Sequence, residues 1–569
     1  MAEQSDVDWV ARFADEVIAE AERRDPGKPI VCASGLSPSG PVHLGNLREV
    51  MTPHLVADEI RRRGHACVHL LSWDDYDRFR KVPAGIDPSW AEHIGKPLTS
   101  VPAPPGSPYA NWSEHFKAPM IAALADLGIE YYGISQTERY TSGAYREQII
   151  LAMRERARID AILGRYRTKR KPSGPAGDTP DDVAAAIAAE GSGAAAEEDG
   201  ASASGYFPYK PYCSSCGKDL TTVTAYDDET TALSYTCACG HSETMYLSRD
   251  DHGKLVWKVD WPMRWAYEGV AFEPSGVDHS SPGSSFVVGS QIVREIFAHE
   301  PPIGPMYSFV GISGMAKMSS SRGQVPTPAD ALQIMEAPVL RWLYARRRPA
   351  QSFKVAFDQE IHRLYDEWDA LGRRVADGAA TPGEQAAYAR SVRTTSTELP
   401  VTARPVPYRT LTSIVDITTG NEEQLARILR DLDPDGAGVP LSEYQPRLGC
   451  AEAWVDTQMA ADQRTRVHAD PRVDMLAALS DGEREMLRLL VDGLEANWSL
   501  EGLTTLVYGV PKVHLGLPMD MKPTPELKDA QRQFFVLLYQ LLIGRDTGPR
   551  LPTLLLAIGA DRVRKLLGT

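Results

Sequence analysis

Two short stretches carry side chains whose types and spacing suit phosphate chemistry. The first is Ser34-Gly-Leu-Ser-Pro-Ser-Gly-Pro-Val-His-Leu-Gly-Asn46. Glycines let backbone approach a phosphate closely, and a helix start behind them offers free N–H groups and the positive end of its dipole. Ser39 and Gly40 lie in that loop. His43, one turn into the expected helix, can donate to charge developing on an α-phosphate. Gly45 keeps a side chain away from where an adenine would lie, and Asn46 closes the group. The second stretch is Met315-Ala-Lys-Met-Ser-Ser-Ser321, in which Lys317, Ser319 and Ser320 supply positive charge and donors for a leaving pyrophosphate. Each has a plain alternative when taken alone: a turn with a surface histidine, and a solvated serine-rich loop. Together, each behind an expected strand, they read as one ATP site, with Mg²⁺ as the companion of ATP.

A third constellation is Cys213-Ser-Ser-Cys216 followed by Cys237-Ala-Cys239. Two thiolate pairs on two turns can close a tetrahedral site around Zn²⁺. The second pair is narrower than usual, so His241 is an alternative to one sulfur, and four metal-free thiols are the bland alternative. Four protein ligands leave no open position, so the zinc would be structural. The other cysteines, Cys32, Cys67 and Cys450, are scattered. One tight cluster in a large chain reads as metal binding, not as a disulfide framework.

The elements that must position these groups follow from patterning. Residues 5–24 form an amphipathic pattern. Lys28–Gly35 ends an apolar run in a loop, a helix follows from Val42 to a stop at Gly64, and Ala66–Ser72 is a second strand leading into Trp73-Asp-Asp-Tyr-Asp77. Strand, helix and strand in that span make a βαβ unit and hence a parallel sheet. Leu255–Pro262 reads as a return to strand pattern, Ser285–Ser290 as a strand or a loop before a helix, and Tyr307–Ile312 as a strand leading to Lys317. Residues 172–205 are rich in Pro, Gly, Ser, Ala, Asp and Glu and read as a flexible insertion. After residue 329, helical spacing dominates, as at Ile361, Leu364, Tyr365, Trp368 and Leu371.

With 569 residues the chain is too long for one core. Its composition, 43% hydrophobic and 24% charged, is that of a soluble protein, and no apolar run is long enough to span a membrane. The acidic start lacks the regions of a signal peptide, so the cytoplasm is expected. A net charge of −15 argues against nucleic-acid binding by the bulk surface and leaves room for a local basic track.

The two phosphate-binding stretches resemble the HIGH and KMSKS motifs of the class I aminoacyl-tRNA synthetases. Serine stands where the second motif usually has its second lysine, so Lys317 serves alone or with a neighbour such as Arg322. Within that class the chain resembles the archaeal-type lysyl-tRNA synthetases. That likeness lies in Ala33–Gly40, Asn46-Leu-Arg-Glu49, Trp73–Pro83, Trp257–Trp265, Asp278-His-Ser-Ser-Pro-Gly283 and the stretch from Ile543 to Leu551.

The resemblance implies an α/β Rossmann-like parallel-sheet catalytic domain over residues 1–328, with a zinc-binding module inserted at 206–248. A helical stem-contact connector (329–400) and an all-α anticodon-binding domain (401–569) would follow. It implies activation of L-lysine to lysyl-adenylate, transfer to tRNA(Lys), and His43, Asn46 and Lys317 as catalytic groups. A lysine ammonium wants an anion and its stem an aromatic face. Asp74, Asp75, Tyr76 and Asp278 are candidate polar contacts, and Trp257, Trp261 and His279 candidate walls, core packing being the other reading of each tryptophan. The likeness adds Gly35 and Ser37 at the amino-acid end. A glutamate-specific enzyme of the same class, a shorter nucleotidyltransferase and a non-catalytic tRNA-binding relative are the competing readings, and a monomer is the expected state.

Overall fold

The structure is a computed structural model that describes residues 8–83, 85–167, 201–202, 205–279, 284–313, 325–418, 422–432, 439–460, 463–522 and 524–568. Arg167, Ala201, Ser202 and Asp278 are described by backbone alone. The segment with Lys317, Ser319, Ser320 and Arg322, and most of 172–205, lie outside the described residues.

The chain opens with helix α1 (Trp9–Arg24), capped by the Asp8 carboxylate, which accepts from the Ala11 N–H. Its apolar stripe of Trp9, Val10, Phe13, Ala14 and Val17 is buried, as its spacing dictates. Strand β1 (Ile30–Leu36), helix α2 (Leu44–Arg62) and strand β2 (Cys67–Trp73) form the expected βαβ unit. Gly64 adopts a φ of +88° just beyond α2, where a residue with a Cβ would be strained. Helix α3 (Trp112–Asp126) leads to strand β3 (Tyr132–Ser135). A three-stranded antiparallel sheet, β4 (Thr221–Tyr226), β5 (Ala232–Cys237) and β6 (Ser242–Tyr246), carries the second cysteine pair at its turn. Helix α4 (Trp257–Glu268) and strand β7 (Val270–Phe272) follow, then helix α5 (Ser285–Glu295) and strands β8 (Val310–Ser313) and β9 (Phe353–Ala356).

Strands β7, β1, β2 and β3 make one parallel sheet in that order, with Ile30 opposite Cys67 and Leu36 opposite Trp73. The chain winds outward from β1 to β3 and returns on the far side of β1 as β7. The strand order therefore reverses between β1 and β7, and in such sheets the crevice at the carboxyl ends of those strands takes the ligand.

Two readings need correction. Leu255–Pro262 is not a strand: the strand ends at Leu255, and Trp257–Glu268 is helical. Trp257, Trp261 and Trp265 recur every four residues on one face, while the alternation of Trp257, Val259 and Trp261 imitates a strand over a shorter window. Ser285–Ser290 is the first half of α5.

The chain divides into two compact units. The first comprises Met1–Leu332, Ala337–Phe357 and Leu371–Pro400, and the second Gln333–Glu336, Asp358–Ala370 and Val401–Thr569. Residues 329–400 thus form no unit of their own and are shared between the two. The second unit is all-helical among its described residues. Within it, Arg447 pairs with Glu336 at 2.8 Å and with Asp369 at 2.8 Å, and Tyr365 stacks on Tyr408.

Candidate functional site

Loop and helix start after β1 are built around His43. The residue is the N-cap of α2, not one turn inside it, because its side chain replaces the missing acceptor for the helix start. Nδ1 accepts from the Gly45 N–H at 3.1 Å, and the Asn46 side chain accepts from the His43 N–H at 3.3 Å, a reciprocal capping box. A Cβ at Gly45 would lie 2.9 Å from His43 Cε1 and Nδ1, so the glycine makes room for the imidazole itself. Burial pushes the His43 pKa down to about 4, so the ring is neutral near pH 7. With Nδ1 accepting, the proton sits on Nε2, and Nε2 is buried without a partner among the described residues. An unpaired buried donor at a helix N-terminus is set to meet an anion.

Ser39 is exposed on the same loop, where its carbonyl accepts from the Trp112 indole at 3.0 Å, and no neighbour lies within 4 Å of a Cβ at Gly40. Pro326, just beyond the segment holding Lys317, accepts the Leu44 N–H through its carbonyl at 3.1 Å. The chain on the far side of that segment therefore returns to the start of α2.

A pocket opens at the carboxyl ends of β1, β2 and β7, where the sheet topology directs a ligand. Of the sequence candidates, Gly35, Asp74, Trp257, Trp261 and His279 line it. Trp257 and Trp261 stack at 5.1 Å between ring centres, and His279 stands 5.7 Å from the Trp261 ring. Ser37 is not among the lining residues, and the Asp278 side chain lies outside the description. Tyr76 is displaced from its expected role: it is buried in the core, 5.5 Å from the Tyr140 ring and 5.0 Å from that of Tyr212. Asp75 is also structural, held by Lys117 Nζ at 2.6 Å, Ser135 Oγ at 2.7 Å and the Thr137 N–H at 2.8 Å.

The pocket adds charged groups that the sequence reading did not assign. Glu49, Glu268 and Glu273 join Asp74 on its walls, with Arg264 as the cation. Arg264 Nη1 donates to Asp74 Oδ1 at 2.6 Å and to Ser72 Oγ at 2.8 Å, and Nη2 lies 3.3 Å from Asp260. Burial raises the Asp74 carboxyl to about 6 against the pull of that guanidinium. Tyr307 donates to Glu49 at 3.2 Å, and Glu268 pairs with Arg139 at 3.2 Å. Trp261 and Trp265 donate to the two oxygens of Glu273 at 3.1 and 2.6 Å. Signals for some of these existed: Glu49 lies two turns beyond His43 on α2, and Arg264 falls on the tryptophan face of α4.

The four cysteines converge. Their Sγ atoms all lie within 4.8 Å of one another, with Cys213–Cys239 at 3.8 Å and Cys216–Cys237 at 3.7 Å. A tetrahedral thiolate site with bonds of about 2.3 Å has sulfur–sulfur edges of about 3.8 Å, so this donor set fits a metal ion. His241 stands outside the set, 3.2 Å from Ser214 Oγ and 3.5 Å from Glu243. The candidate ligand group is therefore the four sulfurs, without the imidazole.

Known proteins resemble this chain along most of its length. Residues 7–398 match the model of a family described as tRNA synthetases class I (K). The chain is 68% identical over 570 residues to the lysine–tRNA ligase of Streptomyces coelicolor, covering 99% of this chain and 98% of that protein. The lysine–tRNA ligases of Treponema pallidum and Thermococcus kodakarensis are each 31% identical, the first across 98% of both chains and the second across 99%. No helix among the described residues is long and apolar enough to cross a membrane. With the family match spanning most of its length and these relatives nearly all of it, the chain belongs to the class I tRNA synthetases of the lysine (K) type.

Proposed function

We infer that this protein is a lysine–tRNA ligase that activates L-lysine with ATP and transfers it to tRNA(Lys). The observation that carries the substrate reading is the charge of the pocket. Four carboxyl groups and one guanidinium line it, and Asp74 and Asp260 already hold that guanidinium. A cationic amino acid is favoured there, and a glutamate would meet repulsion.

Lysine's carboxylate oxygen attacks the α-phosphorus of ATP, forming lysyl-adenylate as the bond to pyrophosphate breaks. A terminal ribose hydroxyl of the tRNA then attacks the adenylate carbonyl and AMP departs. Neither step needs a protein nucleophile, so the protein contributes position and charge stabilisation. His43 Nε2–H is the donor to the α-phosphate, held by its own bond to Gly45. Asn46 fixes the cap that aims it. Ser39, Gly40, Gly45 and the α2 N-terminus form the nucleotide cradle, and Lys317 with Ser319 and Ser320 serves the pyrophosphate. Mg²⁺ accompanies ATP. Gly35, Asp74, Trp257, Asp278 and His279 belong to the lysine site. Ser37, off the pocket wall, is left at the loop, and Tyr76 supports the site from the core.

The four cysteines hold a structural Zn²⁺, whose bonds tie the turn after Tyr212 to the turn between β5 and β6. The all-helical C-terminal region is the anticodon-binding part, the cytoplasm the compartment and a monomer the working state.

Charging of total tRNA with labelled lysine tests the reading. Lysine attached to tRNA(Lys), dependent on ATP, is the expected product, and charging with glutamate in its place would refute it.

A further inference from the structure

One carboxyl group of the pocket, that of Glu273, is held by neutral donors and forms no ion pair with a described residue. Glu273 is 6% exposed and follows the last residue of β7. Its two oxygens accept from the indoles of Trp261 and Trp265, both neutral donors. No cation among the described residues pairs with it, whereas Asp74 has Arg264 at 2.6 Å and Glu268 has Arg139 at 3.2 Å. Arg264 acts on it electrostatically but is already held by Asp74 and Asp260. A buried carboxylate without a cation of its own is costly to keep, so such groups are retained where a ligand supplies the missing charge. Two indole bonds use half of a carboxylate's acceptor capacity and fix its direction, so among the described residues the remaining lone pairs are unused.

Its surroundings say which charge. Trp261, Trp265, Val270, Leu70 and Ile134 make an apolar cluster that also lines the pocket. That wall suits a chain of methylenes ending in a single cation. The substrate's carboxylate must remain with the triphosphate, at the loop after β1. We propose that Glu273 is the counter-ion of the substrate's side-chain ammonium and is a specificity-determining residue of the pocket. The proposal rests on the lysine reading above. Burial raises the Glu273 carboxyl to about 7, so an arriving ammonium would stabilise its ionised form.

Amino-acid-dependent ATP–pyrophosphate exchange, run with total tRNA present, provides the test. L-norleucine, which has the same stem without the ε-ammonium, serves as the competing probe. In Glu273→Gln the lysine KM should rise about 100-fold, as expected for loss of one member of a buried charge pair. The inhibition constant of norleucine and the KM of ATP should stay within about threefold, and Glu273→Asp should recover part of the lysine affinity. Lysine and norleucine weakened equally, or a lysine KM unmoved, would overturn the proposal. Should Glu273→Gln fail to fold, Trp265→Phe removes one indole donor and keeps the carboxyl. A lysine KM raised several-fold with norleucine unmoved then supports the assignment, and no selective change overturns it. Absence of lysine-dependent exchange in the unmodified protein would instead remove the lysine reading itself.

Discussion

Replacing Gly45 by alanine separates the fold of α2 from its chemistry. The added Cβ would sit 2.9 Å from His43 Cε1 and Nδ1. Ordinary carbon contacts begin near 3.5 Å, so the imidazole must yield by roughly 0.5 Å. Nδ1 then loses its 3.1 Å bond from the Gly45 N–H, a loss of about 1 kcal/mol in helix capping. Alanine in the first turn of a helix returns about the same amount through propensity. The melting temperature should therefore move by only a few degrees. The reaction should not be spared, because that bond is the one the imidazole itself makes and it helps to aim Nε2–H. Removing a preorganised donor from a developing oxyanion costs on the order of 10²- to 10³-fold in kcat, and displacing one should cost about 10- to 100-fold. Pyrophosphate exchange at saturating lysine and ATP reads this directly. Full kcat in a folded Gly45→Ala protein would refute the view that Gly45 exists to seat the histidine ring.

Other consequences can be checked in the same preparation. Extensively dialysed protein should retain about one zinc per chain by elemental analysis and lose it in Cys216→Ser, and zinc-free protein of full stability would contradict the four-thiolate site. Raising the pH ionises the Asp74 carboxyl near 6 and that of Glu273 near 7, both raised chiefly by burial. The kcat/KM for lysine should accordingly climb between pH 5.5 and 7.5 and level off above, in step with carboxyls that titrate at about 6 and about 7. Glu273→Gln should remove the upper inflection, and a flat profile in the unmodified protein would count against both carboxyls. Burial holds His69 down to about 3, so between pH 6.5 and 3 the unfolded chain takes up a proton that the folded chain refuses. Stability falls as pH drops through that window, by about 2 kcal/mol at pH 5 for this group. The loss between pH 7 and pH 5 should shrink in His69→Asn, and an unchanged loss would contradict the assignment.

Much of the site was legible because its physics is local. The glycine-rich loop behind an apolar run, the helix that starts near His43 and the two close cysteine pairs depend on neighbours in sequence. The misreadings share a different cause. Leu255–Pro262 has the look of a strand because so short a stretch does not show the four-residue period of Trp257, Trp261 and Trp265. Tyr76 sits next to Asp74 and Asp75 in the chain, yet the turn after β2 sends it into the core against Tyr140, Asp75 to Lys117 and Asp74 toward the pocket. Nothing in the tripeptide distinguishes these directions. Glu273 was invisible for a further reason. A single acid after a short apolar run is unremarkable until the indoles of Trp261 and Trp265 are seen to converge on it.

The central claim is that the acid-lined pocket beside α2 selects lysine for adenylation. Pyrophosphate exchange measured with each of the twenty amino acids, with and without total tRNA, addresses it most directly. The account predicts exchange that depends on lysine in at least one of the two conditions and a negligible rate with glutamate. Exchange driven by glutamate, or none with lysine in either condition, would contradict it.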